Sequence, residues 1–134
     1  MLVALAAIAP AHAGEIEISE AWIRNIPGGA PSAGYFRLRN GTDGAVRLVA
    51  AESPAYGRIG LHRTTDSGMA HVERVNVPAG GQVAFAPGGY HLMLMEQRKP
   101  VEIDDRIPIR LRFADGKERT ARFIVRPPYA QGPE

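Results

Sequence analysis

Short apolar runs separated by turn residues extend along almost the whole chain. The alternation is clearest near the end, where Ile107, Ile109, Leu111 and Phe113 share one face of a strand because successive side chains point to opposite sides. No stretch shows convincing helical periodicity. The predicted strands are 15–18, 21–25, 33–40, 45–52, 57–64, 69–77, 82–86, 90–95, 107–114 and 119–125.

Turn signals lie between these runs: PGGAPS, NGTDG, TDSG, PAGG, APGG and ADGK, within a chain of 134 residues that holds 15 Gly and 11 Pro. Many short strands with regular turns favour an all-β fold, either a β-sandwich or a small Greek-key barrel. The chain has no internal repeat and no linker. We expect a single β-sandwich domain at 14–126 and a loose C-terminal tail at 127–134.

The N-terminal stretch MLVALAAIAPAHAG predicts export. An apolar run is followed by Ala-His-Ala, and small residues at that spacing resemble a signal-peptidase site with cleavage before Gly14. The run is too short to span a bilayer as a helix. Residues 1–13 are therefore predicted to be the remnant of a signal peptide, and the remaining chain to be soluble and periplasmic, without stable membrane insertion.

Composition excludes several classes of function. The formal net charge is only +2 and the basic residues form no run, so nucleic-acid binding is not expected. The absence of cysteine excludes disulfides, thiolate metal sites, a cysteine nucleophile and the thiolate of a blue-copper centre. The sequence contains no glycine-framed serine elbow, and its carboxylates are dispersed. We therefore expect no enzymatic activity.

One predicted strand, within GGYHLMLME, carries unusual side chains. Tyr90, Leu92 and Leu94 form an ordinary core face, whereas the opposite face carries one imidazole and two thioethers, from His91, Met93 and Met95. These side chains either fill space or bind a metal ion. Thioethers prefer soft Cu(I), and imidazole also suits copper.

The other histidines and methionines of the mature chain lie close to this strand. His62, Met69 and His71 occupy the two preceding predicted strands, so every His and Met after residue 13 falls within 62–95. If the turn between these strands is centred on Asp66 and Ser67, His62 pairs with His71 and Thr64 pairs with Met69. His71 is then either an additional ligand or a partly exposed strand residue.

The run HRTTDSGMAHVERVNVPAGGQVAFAPGGYHLMLM resembles the signature of the PCu(A)C family of copper chaperones, and the similarity extends over nearly all of the mature chain. The family pattern closes with Met, twenty-one residues and His-x-Met, which is the spacing from Met69 to His91 and Met93. Only six residues separate His62 from Met69, fewer than in the family, but the difference is even and keeps both side chains on one face.

This resemblance implies a cupredoxin-like Greek-key β-sandwich that binds Cu(I), with Cu(II) as an alternative ion. The metal ligands that it implies are His62, Met69, His91 and Met93, with His71 and Met95 as less favoured candidates. It also implies delivery of copper toward the CuA centre of cytochrome c oxidase, with the copper-accepting oxidase subunit or a Sco-type protein as partner. We expect the carrier to be a monomer. The alternatives are a periplasmic copper scavenger or buffer and a structural β-sandwich module without metal.

Overall fold

The computed structural model describes residues 14–134; the predicted signal remnant at 1–13 lies outside the described residues. Within the described part the chain forms strands connected by turns and loops, and no helix is present. The strands are β1 (Ile16–Arg24), β2 (Ser32–Asn40), β3 (Val46–Glu52), β4 (Tyr56–Thr65), β5 (Gly68–His71), β6 (Val75–Val77), β7 (Gln82–Phe85), β8 (Tyr90–Gln97), β9 (Arg106–Phe113) and β10 (Glu118–Arg126).

The strands form one hydrogen-bonded sheet that folds back on itself. Its order is β5-β4-β8-β7-β2-β1-β10-β9-β3-β6, and β8 also pairs with β2. Strands β3 and β4 are far apart in this order, yet they pack against each other, which closes the apolar faces into one core. The predicted all-β, cupredoxin-like sandwich is confirmed.

Alternating side chains build the core as the sequence predicts. The four apolar residues of β9, from Ile107 to Phe113, are all buried, and Leu92 and Leu94 of β8 are equally buried. Phe36 lies at the centre, with its ring centroid 4.4 Å from that of Phe85. The face of β8 that carries His91 and the methionines therefore points away from this core.

Two predicted strand boundaries were wrong. The runs 15–18 and 21–25 form one strand, β1, which continues through an irregular register between Ser19 and Trp22 because Glu20 adopts a positive φ of 51°. Conversely, 69–77 is not one strand. Strand β5 pairs with β4, whereas β6 pairs with β3, and the intervening residues carry the chain between these two places in the sheet.

Asn40, at the end of β2, is fully buried and has a complete set of hydrogen bonds. Its Nδ2 donates to the carbonyls of Gly44 (2.8 Å), Val77 (3.0 Å) and Pro78 (3.1 Å). Its Oδ1 accepts from the backbone N–H of Thr42 (3.0 Å) and from the Thr42 hydroxyl (2.6 Å). One side chain thus connects the turn after β2 to the end of β6.

The C-terminal segment contacts the sandwich through Arg24. The Nη2 of Arg24 donates to the Ala130 carbonyl at 2.7 Å, and the guanidinium lies 5.5 Å from the ring centroids of Trp22 and Tyr35. These rings are buried apart from the main core, and the proposed boundary between a domain at 14–126 and a tail at 127–134 lies next to them. Among residues 14–134, no helix has the length and apolar character needed to cross a membrane.

Candidate metal centre

Three histidines form a row across strands β5, β4 and β8. His62 pairs directly with His71 on one side and with His91 on the other. The ring centroid of His62 is 5.6 Å from that of His71 and 5.7 Å from that of His91. Direct pairing places all three side chains on the same face of the sheet.

The β4–β5 hairpin sets this alignment. Strand β4 ends at Thr65 and β5 begins at Gly68, so Asp66 and Ser67 form the two-residue turn that the sequence predicts. Gly68 adopts a φ of 133°, which lies in the region that favours glycine. The predicted pairs, His62 with His71 and Thr64 with Met69, are confirmed.

Gly60 makes room for the thioether side of the site. It pairs directly with Met93 and lies two residues before His62, on the same face. A Cβ atom on Gly60 would lie 2.9 Å from Nε2 of His62 and 3.7 Å from Cε of Met95. The His62 ring therefore folds back over Gly60, toward the strand segment that carries the two methionines.

Met69 lies on the other side of the histidine row. It pairs with Thr64 rather than with a residue near Gly60, and its side chain is 62% exposed. Its Cα is about 17 Å from that of Met93, given strands about 4.8 Å apart and a rise of about 3.4 Å per residue. The register thus places His62, His91, Met93 and Met95 on one face of β4 and β8, with Cε of Met95 close to the His62 ring, and places Met69 and His71 at the sheet edge formed by β5.

His91 is held with one ring nitrogen available. The side chain is buried, and its ring makes a hydrogen bond with the backbone of Gly89. Its Nε2 has no hydrogen-bond partner within the described residues, so the bonded nitrogen is Nδ1. Burial lowers the pKa of His91, whereas the Gly89 bond opposes this effect. A neutral imidazole whose Nδ1–H donates to a carbonyl presents the lone pair of Nε2 to a metal.

His62 has a similar unpaired atom. Its buried Nδ1 has no partner among the described residues. Burial lowers the pKa of His62, and the positive charges that His91, His71 and Arg58 can carry lower it further. Both imidazoles are therefore held in the neutral form that binds metals.

Histidine, carboxylate and cysteine side chains alone do not form a metal site with three or more ligands in this structure. Within residues 14–134, no group of three or more His, Cys, Asp or Glu side chains could hold a metal ion. The three histidine rings lie in a row rather than around one point. Methionine sulfur is the further donor type beside His62 and His91, and it matches a soft, monovalent ion.

The sequence alone did not identify Gly60 and Gly89 as parts of this site. The only sequence signal for Gly60 is its position two residues before His62, within the strand run RIGLH. A glycine at that spacing leaves space on the same face as His62. Gly89 lies in APGGYH, a stretch that predicts a turn but gives no sign of a hydrogen bond to His91.

Comparisons with known proteins identify the family and the fold of the chain. Residues 16–125 match the family model described as "Putative lipoprotein LpqE-like". The chain is 33% identical over 106 residues to "Putative lipoprotein Lxx21020" of Leifsonia xyli subsp. xyli; the match covers 75% of this chain and 63% of the length of that curated relative. Cysteine is absent from these 134 residues, so they contain no cysteine to carry a lipid anchor.

Two solved structures are similar over most of the chain. The copper-bound PCuAC domain from PmoF2 superposes with a TM-score of 0.75 at 25% identity, and the match covers 87% of this chain and 96% of that one. Cu(I)-bound DR1885 from Deinococcus radiodurans superposes with a TM-score of 0.68 at 28% identity, and the match covers 81% of this chain and 76% of that one.

Proposed function

The chain belongs to the LpqE-like family and has the fold of PCuAC domains, and from this premise we propose that it is a copper carrier rather than an enzyme. The observation that carries the proposal is a pair of directly opposed imidazoles, His62 and His91, each with an unpaired buried nitrogen, on the sheet face that also carries Met93. A buried polar atom without a partner costs free energy unless a ligand satisfies it.

The donor chemistry favours Cu(I) over harder ions. Thioether sulfur and neutral imidazole bring no negative charge to the site and suit a soft monovalent cation. A thiolate site would be oxidised easily in an oxidising compartment, whereas methionine is more tolerant. We propose His62, His91 and Met93 as the central ligands.

Met69 is proposed as the fourth ligand, from the edge strand β5. Its exposed side chain lies diagonally from His62, within reach of that ring but not of Met93 in the described conformation. Completing a four-ligand site therefore requires the β4–β5 hairpin to bend toward β8. Strand β5 is at the edge of the sheet, and within the described residues it pairs with β4 alone.

We further propose that the carrier is exported and delivers copper toward the CuA centre of cytochrome c oxidase, directly or through a Sco-type protein. Uncharged ligands on an outward face can be exchanged one at a time for those of an acceptor. An exposed Met69 is the ligand that an approaching acceptor reaches first.

Binding can be tested by anaerobic competition with a chromophoric Cu(I) chelator. We expect one Cu(I) per chain, and a clear loss of affinity in His91→Ala. Gly60→Ala should also weaken binding, because the added methyl displaces the His62 ring without removing any donor. Thermal unfolding of each variant checks that the sandwich is intact. Absence of stoichiometric Cu(I) binding by the wild type would favour a structural module instead.

Delivery needs a separate experiment. The Cu(I)-loaded protein is mixed with a soluble oxidase fragment that carries the apo CuA site, and copper is measured in each protein after separation. Transfer supports a chaperone, whereas tight binding without transfer to this fragment or to a Sco-type protein supports a scavenger.

A further inference from the structure

A cleft lies at the beginning of β4, on the strand that carries His62 at its other end. It is lined by the first residues of β4, by the chain that follows β3, and by parts of β9 and β10, and its volume is about 580 Å³. Sites for small organic ligands generally have volumes of about 300–1,000 Å³. The metal centre described above does not use this cleft.

The cleft is positively charged. Arg58, Arg98 and Arg110 line it together with one carboxylate, Glu52. Arg110 is already neutralised, because its Nη2 donates to Glu52 at 2.6 Å. Arg58 and Arg98 form no ion pair with any carboxylate in the described part of the chain.

Gly57 helps to position one of these guanidiniums. A Cβ atom on Gly57 would lie 3.3 Å from Nε of Arg98 and 3.1 Å from Oε2 of Glu96. The Arg98 side chain therefore lies directly over the backbone of β4, next to the cleft. Glu96 approaches the same point without forming an ion pair with Arg98 in the described chain.

Tyr56 lines the same cleft and carries a buried hydroxyl without a partner among the described residues. The residue as a whole is only 3% exposed. Burial raises the pKa of Tyr56 to about 12, so the phenol stays protonated and is a hydrogen-bond donor without an acceptor. Buried hydroxyl groups generally have a partner, and none of the described residues supplies one to Tyr56.

We propose that the cleft binds a small organic carboxylate. Arg58 and Arg98 hold the carboxylate, since planar guanidiniums match its two oxygens. Pro54, Ile59 and Pro108 contribute apolar walls for the body of the molecule, which distinguishes an organic acid from inorganic phosphate. None of these residues is a proposed metal ligand, although Arg58 pairs with Met95 and its charge contributes to the lowered pKa of His62.

The test uses the isotope-labelled apo protein and a matched pair of probes. Benzoate and benzyl alcohol share an aromatic body, but only benzoate carries a carboxylate. We expect benzoate to cause saturable shifts in the amide NMR signals of 56–59 and Arg98, and benzyl alcohol to cause none that saturate. Inorganic phosphate should bind more weakly than benzoate.

Variants then assign the binding groups. Each of Arg58→Gln and Arg98→Gln should lower the benzoate affinity about tenfold, since each removes charge-assisted hydrogen bonds. Tyr56→Phe removes only a buried hydroxyl, so it should change the benzoate affinity much less and keep the fold. Arg47→Gln, an equal charge change at an exposed position outside the cleft, should leave it unchanged.

Three results would overturn the proposal. These are no saturable shifts with benzoate, equal binding of benzyl alcohol, or unchanged benzoate affinity in the double variant of Arg58 and Arg98. Tighter binding of phosphate than of benzoate would overturn the assignment to an organic acid.

Discussion

Asn40 and His91 are both buried polar residues on neighbouring strands, yet their surroundings differ. The Asn40 side chain donates to three carbonyls and accepts two hydrogen bonds, so none of its polar atoms lacks a partner. His91 makes one bond through its ring, with Gly89, and its Nε2 has no partner in the described chain. His62, directly opposite, has an unpaired Nδ1.

This difference separates a structural polar residue from a binding one. A fully bonded amide connects segments of backbone and has no capacity left for a ligand. An imidazole with one bonded and one open nitrogen is oriented and still able to bind. Four substitutions or changes of condition test the contrast.

The largest effect is expected for Asn40→Ala, on stability. The substitution leaves the carbonyls of Gly44, Val77 and Pro78 without their donor in a buried place, which should cost about 3–5 kcal/mol of unfolding free energy. Denaturant unfolding of the apo protein measures it. Asn76→Ala, at an exposed position on β6, is the control and should change stability by less than about 0.5 kcal/mol. If Asn40→Ala lowers the unfolding free energy as little as the control does, Asn40 is not a structural polar residue.

Met93→Leu should show the reverse behaviour. It keeps the side-chain volume, so stability should change by less than about 1.5 kcal/mol. Loss of the sulfur should weaken Cu(I) binding by at least about 10- to 100-fold. Removing a residue that merely supports a metal ligand already costs this much affinity, and Met93 is proposed as a ligand itself. Met95→Leu is the matched control on the same face and should matter less. If Met93→Leu binds Cu(I) as tightly as the wild type, the Met93 side chain fills space and is not a copper ligand.

His71→Ala tests whether His71, at the outer end of the histidine row, is an additional ligand for Cu(II). The ring of His71 lies beside that of His62, on the exposed edge strand. An additional imidazole favours Cu(II) more than Cu(I), so the variant should lose several-fold in Cu(II) affinity and keep its Cu(I) affinity. Isothermal titration with each oxidation state distinguishes the two. Equal Cu(II) affinities at a pH where imidazole is neutral would leave His71 as an ordinary exposed strand residue.

The smallest effect is the pH dependence of apo stability. The pKa values of His62 and His91 are lowered in the folded protein, so below a pH of about 6.5 the unfolded chain takes up protons first. Stability should be complete above about pH 6.5 and decline as the pH falls toward the folded pKa values. His62→Gln should reduce this slope between about pH 7 and pH 5.5, as measured by urea unfolding at several pH values. An unchanged slope would show that His62 is not held neutral by its surroundings.

Much of the strand geometry around the candidate site was predictable, because side-chain alternation in strands is periodic. The alternation in YHLMLM separated Leu92 and Leu94 from His91 and Met93, and the turn residues Asp66 and Ser67 predicted the pairing of His62 with His71. The resemblance to the PCu(A)C family is confirmed by the solved PCuAC domains. The ligand set itself stays a prediction.

Long-range packing was not predictable in the same way. The run 69–77 looks like one strand, but its two halves pair with strands at opposite ends of the sheet order. Likewise, no local pattern indicates that Tyr56 lines a cleft with Arg98, because these residues meet only through the pairing of β4 with β8.

The amino-acid sequence by itself determined the all-β fold, the core faces of β8 and β9 and the concentration of imidazole and thioether groups within 62–95, since side-chain alternation and turn chemistry act over a few residues. Tertiary structure alone decided which donors stand together. The register of β4 with β8 placed Gly60 opposite Met93 and left the His62 and His91 nitrogens unpaired, whereas the hairpin carried Met69 to the other side of the row. Burial and hydrogen bonding are set by neighbours distant in sequence. Only the folded chain therefore distinguishes a polar residue whose hydrogen bonds are all made, such as Asn40, from one with an unpaired atom, such as His91.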